Sequence, residues 1–319
     1  ILLGNGFSVA YNNTIFTHDS ISNAITNEQH KEILEKLNTV NIEFAMKHIN
    51  DCISTIQVID NSSATYDMVT KLQNINSTFK TTFQTAITTL HPAKHTIVEP
   101  TQKQRCKKWL SDITNHFDKK KIFTLNFDLL LYWTLLQDID DEKSKLRDNF
   151  QDKEGDKCYF NDSNGSKSLL FLHGALHLFH DKLGTFKMTY NTTHCLIEGI
   201  IENIKNDNYP LCIINGTSEE KLSDINNNYY LRTCLKNITT MNGNLVTYGW
   251  SWSNHDKHII DAILQNNGIK KIYIGCFGEA ESQTISTIVE DGFNRSSNVE
   301  TKEVIYFDTS DVNPWEDEK

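Results

Sequence analysis

Seven short apolar runs, each closed by a small or polar cluster, constrain this chain more than any other feature. They cover residues 1–3, 121–125, 169–172, 211–214, 245–248, 271–274 and 304–307. None alternates apolar with polar, so each predicts a strand buried on both faces, as in a parallel sheet sandwiched by helices. Helical spacing over 256–265 and 282–291 adds the alternation of a doubly wound sheet. The predicted fold is α/β, a Rossmann-like doubly wound parallel sheet. In such sheets ligands sit outside the carboxyl ends of the strands. The clusters that follow the runs are therefore placed where a ligand would lie.

One long stretch departs from the alternation. From about residue 20 to 118 the pattern is helical. Ile33, Leu34 and Leu37 recur at helical spacing, then Phe44, Ile49 and Ile53, and Trp109, Ile113 and Phe117 share a face. A middle helix over about 64–90 stops at His91-Pro92. This block predicts a helical insertion, or cap, after the first strand of a single domain spanning 1–319. Residues 138–166 are polar and charged and predict a loop.

Charge narrows the choice of partners. The 319 residues carry a net charge of −10, and the densest basic run is Lys119-Lys120-Lys121. A nucleic-acid groove needs clustered positive charge, so direct nucleic-acid binding is not expected. A small anionic ligand can still be held by backbone N–H groups. No apolar run approaches the roughly 18 residues that span a bilayer, and no stretch reads as a signal peptide. Seven cysteines, at 52, 106, 158, 195, 212, 234 and 276, form no Cys-x-x-Cys pair. They predict free thiols in a reducing cytoplasm rather than a disulfide framework or a four-cysteine zinc site. The chain opens at Ile1 without an initiator Met, so the start of the first strand is expected to precede it.

Four clusters offer chemistry. Gly4-Asn5-Gly6-Phe7-Ser8 follows the first run. Two glycines permit a tight turn and close approach to phosphate, and a following helix presents N–H groups; an ordinary strand-to-helix turn explains them as well. In Leu125-Asn126-Phe127-Asp128, the Asn and Asp suit helix caps, and an uncharged Asn also suits a water or a ribose hydroxyl. His173-Gly174 ends the third run. A histidine there is a candidate base near neutral pH, although a lone His is more often structural. His177 and His180 follow at helical spacing, but no carboxylate or Cys stands at ligand spacing, so no metal is expected. Gly249-Trp250-Ser251 forms a second small-residue turn before Asn254-His255-Asp256. A hydrolase triad of Ser251, His173 and Asp308 lacks the second glycine of a nucleophile elbow.

Taken in order, these segments resemble the sirtuin-like family. Its glycine-rich first loop, Gln-Asn-Ile-Asp segment, catalytic His-Gly, Gly-Thr-Ser turn and late adenosine-contacting loop are similar to Gly4 through Ser8, Leu125 through Asp128, His173-Gly174, Gly249-Trp250-Ser251 and Asp308-Thr309-Ser310. The segments beginning Asn215-Gly216-Thr217-Ser218-Glu219-Glu220-Lys221-Leu222 and Tyr248-Gly249-Trp250-Ser251-Trp252-Ser253-Asn254-His255-Asp256 look like those of bacterial sirtuin-like proteins of antiphage defence. That resemblance implies cleavage of NAD to nicotinamide and ADP-ribose on a sensed infection. Protein-deacylating sirtuins carry a zinc module with two Cys-x-x-Cys pairs, which this sequence lacks. Leu125 replaces their Gln, and Trp250 replaces the Thr of their turn.

The expected site has Asn126, His173 and Asp128 in the chemistry. Gly4, Asn5, Gly6, Phe7 and Ser8 hold phosphate, Gly249 and Ser251 hold phosphate or ribose, and Asp308 lies on the adenosine side. The expected partner is a separate sensor chain or a homo-oligomer. A non-catalytic module that binds NAD or ADP-ribose, and an ADP-ribosyl transferase, are the alternatives.

Overall fold

A computed structural model describes residues 1–60, 62–115, 121–136, 147–163, 169–189, 195–295 and 302–316. Phe117, Lys119, Lys120 and two parts of the expected loop, 138–146 and 164–166, lie outside the described residues. In chain order the first elements are β1 (Leu2–Leu3), α1 (Gly6–Tyr11), α2 (His18–Asn23), α3 (Glu28–Lys36), α4 (Ile42–Ile59), α5 (Ser63–Leu90), α6 (Pro100–Asn115), β2 (Ile122–Thr124) and α7 (Leu130–Leu136). There follow β3 (Phe150–Glu154), β4 (Lys157–Phe160), β5 (Leu169–Phe171), β6 (Leu178–Asp181), β7 (Gly184–Met188), α8 (Leu196–Lys205), α9 (Ser218–Asn227) and α10 (Tyr229–Thr239). The last are β8 (Gly243–Tyr248), α11 (Lys257–Leu264), β9 (Ile269–Cys276), α12 (Gly278–Asn294) and β10 (Glu303–Asp308).

Six of the seven apolar runs form one parallel sheet in the order β10-β9-β8-β1-β2-β5. Leu2 and Leu3 in β1, Leu169 and Leu170 in β5, and Ile272 and Ile274 in β9 are fully buried, as continuous apolar strands covered on both faces must be. The sheet is Rossmann-like. The chain leaves β1 toward β2 on one side and returns to β8 on the other, which makes the crevice between β1 and β8 a topological switch point.

The seventh run, 211–214, is not a strand of this sheet. It follows Pro210 and lies along the loop after β5, with Ile213 N–H donating to the His173 carbonyl at 2.8 Å and a single antiparallel bridge from Gly174 to Cys212. It is apolar because it is packed, not because it is paired. Residues 138–166 also depart from the expected loop. Within the described part, β3 and β4 form a hairpin that joins β7 and β6 in a four-stranded antiparallel sheet, order β3-β4-β7-β6. β4 is half-buried, and β3 and β4 carry charges such as Lys153, Glu154 and Lys157, so neither writes an apolar run into the sequence.

Between β1 and β2 the chain runs through α1–α6. Asn27, Asn41 and Ser62 each accept a first-turn N–H and set the starts of α3, α4 and α5. Ile21, Leu34, Ile42, Met46, Ile49 and Phe79 form an apolar cluster of their own, and Phe83 and Phe127 pack against both this cluster and the main core. Among the described residues, no helix is long and apolar enough to cross a membrane.

Candidate functional site

A cavity of about 900 Å³ opens at the carboxyl ends of the central strands. That volume is of the size that small-molecule sites occupy. Gly4, Asn5, Gly6, Asn126, Asp128, His173, Gly249 and Ser251 line it, so residues far apart in sequence meet at the switch point. Phe7 and Ser8 do not line it. Phe7 is buried against Trp315, with ring centroids 4.9 Å apart, and Ser8 has no exposed surface. Asp308 is also outside the lining, where its neighbours Thr309 and Ser310 stand instead.

The glycines serve loop packing. A Cβ on Gly6 would stand 2.6 Å from Gly249 Cα, and one on Gly4 would stand 2.6 Å from the Gly249 carbonyl oxygen. Gly6 N–H donates to that same carbonyl at 2.7 Å, and Gly4 N–H donates to Tyr248 O at 3.0 Å. The N–H groups of Phe7, Ser8 and Val9 are likewise bonded within the turn. The expected row of free N–H groups at α1 is therefore already engaged, and this turn shapes the cavity rather than offering an empty anion cradle. Gly174, at φ +79°, abuts Leu211: a Cβ there would stand 1.8 Å from its carbonyl oxygen.

Ser8 acts from beneath. Its Oγ lies 2.5 Å from Asp128 Oδ2 and donates to it, and the same oxygen accepts from Asn126 Nδ2 at 2.9 Å. The order of donation fixes the Asn126 amide: Nδ2 points down to Ser8, so Oδ1 points away from it. Asp128 also accepts from Leu130 N–H through Oδ1 at 2.9 Å. Burial pushes the Asp128 carboxyl up, and its bonds from Ser8 and Leu130 oppose that shift. His91 braces the same loop: its Nε2 accepts from Leu129 N–H at 2.9 Å while Nδ1 donates to Pro92 O at 3.0 Å. That pairing requires a neutral ring, and burial lowers the His91 pKa to about 4.

On the other side of the cavity stands a network the sequence reading did not assign. His173 Nε2 lies 3.0 Å from His258 Nε2 on α11 and 3.9 Å from Asp256 Oδ1. His258 Nδ1 lies 2.9 Å from Ser218 Oγ, which also accepts the His258 backbone N–H at 2.7 Å. Asp256 accepts from Lys221 Nζ at 2.9 Å and from Trp250 Nε1 at 3.0 Å. The indole at the turn position is thus an anchor for the carboxylate. Lys221, 1% exposed, pairs also with Glu43 of α4 at 2.8 Å, which ties the helical segment to the site.

The charges follow. Burial alone would raise the Asp256 carboxyl, but Lys221 and then His173 hold it below the usual carboxylate range. Burial works against the charge on Lys221, and Glu43 and Asp256 more than reverse it. Burial drives His173 well below the ordinary histidine value, with Asp256 opposing and Lys221 and His258 adding to the fall. His258 is lowered to about 4, again chiefly by burial. Both imidazoles are neutral at neutral pH.

His173, Asp256 and His258 each offer a ligand atom within 4.8 Å of one another. The Asp256 oxygen nearest His173 is the one that already holds the Lys221 ammonium. A divalent ion placed there would face that fixed positive charge in a buried setting, so the arrangement suits proton handling better than a metal. His177 is not part of it: both its nitrogens are buried without hydrogen-bond partners among the described residues, and its ring stacks on Tyr132. His180 bonds Thr185 in the antiparallel sheet. Among the lining residues the charged side chains are Glu43, Asp128, Asp256, Glu281, Glu316 and Lys221. A cationic group is favoured there over an anionic one.

The signals for the missed residues were present. Thr217 and Glu220 form a capping box, with the Thr217 hydroxyl accepting Glu220 N–H at 3.2 Å. In the helix it starts, Ser218, Lys221 and Ile225 share the buried face.

A family model described as a domain of unknown function (DUF4917) matches residues 1–315, and the chain belongs to that family. A comparison with curated proteins found no match.

Proposed function

We propose that this DUF4917-family chain binds NAD in the switch-point cavity and hydrolyses it to nicotinamide and ADP-ribose. The observation that carries the reading is that Asn126 and His173, each at the end of a parallel strand, face one cavity, with Asn126 held in a single amide orientation. The sirtuin-like order of the sequence segments supports the same assignment.

The bond to be broken joins a cationic nicotinamide ring to ribose, and its transition state spreads positive charge over the sugar. An acidic cavity suits both, because groups fixed where charge develops favour the transition state without reorganising. Asp256 supplies negative charge near His173 and Asp128 holds the Asn126 loop. Asn126 Oδ1 orients water or a ribose hydroxyl. His173 is neutral, the state a base needs, and takes the proton from that hydroxyl or water. With the first-turn N–H groups engaged, the pyrophosphate falls to neutral side chains of the lining, such as Asn5, Ser251, Thr309 and Ser310. Glu43 and Lys221 link the site to α4, so a sensor chain or second copy that moves the helical segment would act on Asp256 through Lys221.

The test is nicotinamide release from NAD by the parent chain, Asn126→Ala and His173→Ala. The expected result is release by the parent and at least about a 100-fold loss in each variant. Equal release by all three would remove both residues from the chemistry, and labelled ADP-ribose on a macromolecular acceptor would favour transfer.

A further inference from the structure

We propose that His258 is a positioning residue that keeps the His173 proton on Nε2 and so leaves Nδ1 as the basic atom. This rests on His173 acting as the base of the proposed reaction. The two Nε2 atoms face each other at 3.0 Å, and a hydrogen bond between them needs one proton. That proton belongs either to His173 or to His258.

Ser218 Oγ can accept from or donate to His258 Nδ1, so the contacts fit either placement and the role of His173 as base chooses between them. His173 Nδ1 makes no hydrogen bond among the described residues and is not sealed from the cavity that the residue lines. It is the nitrogen that substrate can reach. If His258 donated, His173 would carry its own proton on Nδ1, and its one lone pair would be spent on His258. Such a ring has nothing left to accept a substrate proton. If His173 donates, His258 accepts through Nε2 and carries its proton on Nδ1, directed at Ser218 Oγ 2.9 Å away. Ser218 is held in register by the His258 backbone N–H at 2.7 Å. When Nδ1 of His173 takes the hydroxyl proton, the ring becomes an imidazolium. Its Nε2–H remains shared with His258, and Asp256 Oδ1 stands 3.9 Å from that nitrogen. The water oxygen bonds the anomeric carbon as the carbon–nitrogen bond breaks and its electron pair leaves with nicotinamide, and the proton passes from Nδ1 to solvent as product departs. Supporting groups of this kind set the tautomer and the ring orientation of a functional histidine.

The test combines a spectroscopic and a kinetic readout. Long-range proton–nitrogen correlation on the full chain with labelled histidine reads the His173 tautomer without NAD. The expected spectrum has the proton on Nε2, and His258→Leu shifts part of the population to Nδ1. With NAD, His258→Leu lowers kcat about 10–100-fold and changes KM less than about threefold, in the range that supporting-shell losses show. His258→Gln, whose side-chain carbonyl can accept in place of the ring nitrogen, recovers kcat to within about fivefold of the parent. A parent spectrum with the proton on Nδ1 overturns the proposal, as does a His258→Leu variant with unchanged tautomer and kcat. The parent spectrum is decisive even if His258→Leu does not fold. A chain that leaves NAD intact refutes the proposed function, while the tautomer still decides the role of His258.

Discussion

Ser8→Ala isolates the link between the floor of the cavity and Asn126. The substitution removes one oxygen with no exposed surface, and with it two hydrogen bonds: the 2.5 Å donation to Asp128 and the 2.9 Å acceptance from Asn126. A bond to a charged group contributes about 1.5–3 kcal/mol, and a buried donor left without a partner costs about 1–3 kcal/mol. Asp128 can relax part of this by taking a proton, since burial already pushes its carboxyl up. The net loss is expected to be about 3 kcal/mol, which for a chain of this length lowers Tm by about 4–5 °C. The functional effect is larger than stability alone would give. Without Ser8 the Asn126 amide loses the acceptor that fixes its direction, and turnover of NAD should fall about 10–100-fold at a temperature where the variant is folded. Thermal unfolding followed by circular dichroism reads the first effect, and nicotinamide release reads the second. A Tm within 1 °C of the parent together with unchanged turnover would refute the directional chain from Asn126 through Ser8 to Asp128.

Three further outcomes follow from the same network. Stability should fall on acidification below about pH 6.5: His91 and His258 have folded values near 4 against 6.5 unfolded, so the stability their neutral forms contribute is present above 6.5 and is lost as pH drops toward 4. At pH 5 the loss is about 2 kcal/mol for each, readable by denaturant titration, and an unchanged midpoint from pH 7 to pH 5 would contradict it. Lys221→Met leaves Glu43 and Asp256 without their shared cation and should cost about 3–5 kcal/mol, with partial recovery in Lys221→Met combined with Asp256→Asn, measured in the same titration. Gly174→Ala sets a Cβ 1.8 Å from the Leu211 carbonyl at a backbone φ of +79°, so a loss of about 3 kcal/mol or more and displacement of His173 are expected, seen as reduced Tm and abolished turnover.

The parallel sheet was legible because its strands bury both faces, which writes a continuous apolar run into the sequence. The residues after those runs were legible for the same reason, since the topology places strand ends together whatever their separation in the chain. Asn126, His173 and Gly249 come from this rule. The antiparallel sheet was not legible, because strands such as Lys157–Phe160 are half-buried and carry charge. The run at 211–214 misled in the opposite way, being buried without a ladder. Lys221, His258 and Asp256 come from α9, α11 and the turn before α11, and their meeting depends on how those helices are rotated. One trace of this was present: Lys221 stands four residues before Ile225 and three after Ser218, a lysine on an otherwise buried face. The phosphate role expected of the first glycine turn came from its place between a strand and a helix and from the family resemblance, neither of which can tell a free N–H from one already given to Gly249.

Under the proposed function, water replaces nicotinamide on the ribose of NAD in this cavity. Incubation with NAD in oxygen-18 water, followed by mass spectrometry of the products, tests it most directly, using the chain alone and the chain co-expressed with its genomic neighbours. The expected result is equimolar nicotinamide and ADP-ribose carrying one heavy oxygen, absent with Asn126→Ala. Recovery of intact NAD under both conditions, or release of nicotinamide without the heavy oxygen in ADP-ribose, would contradict it.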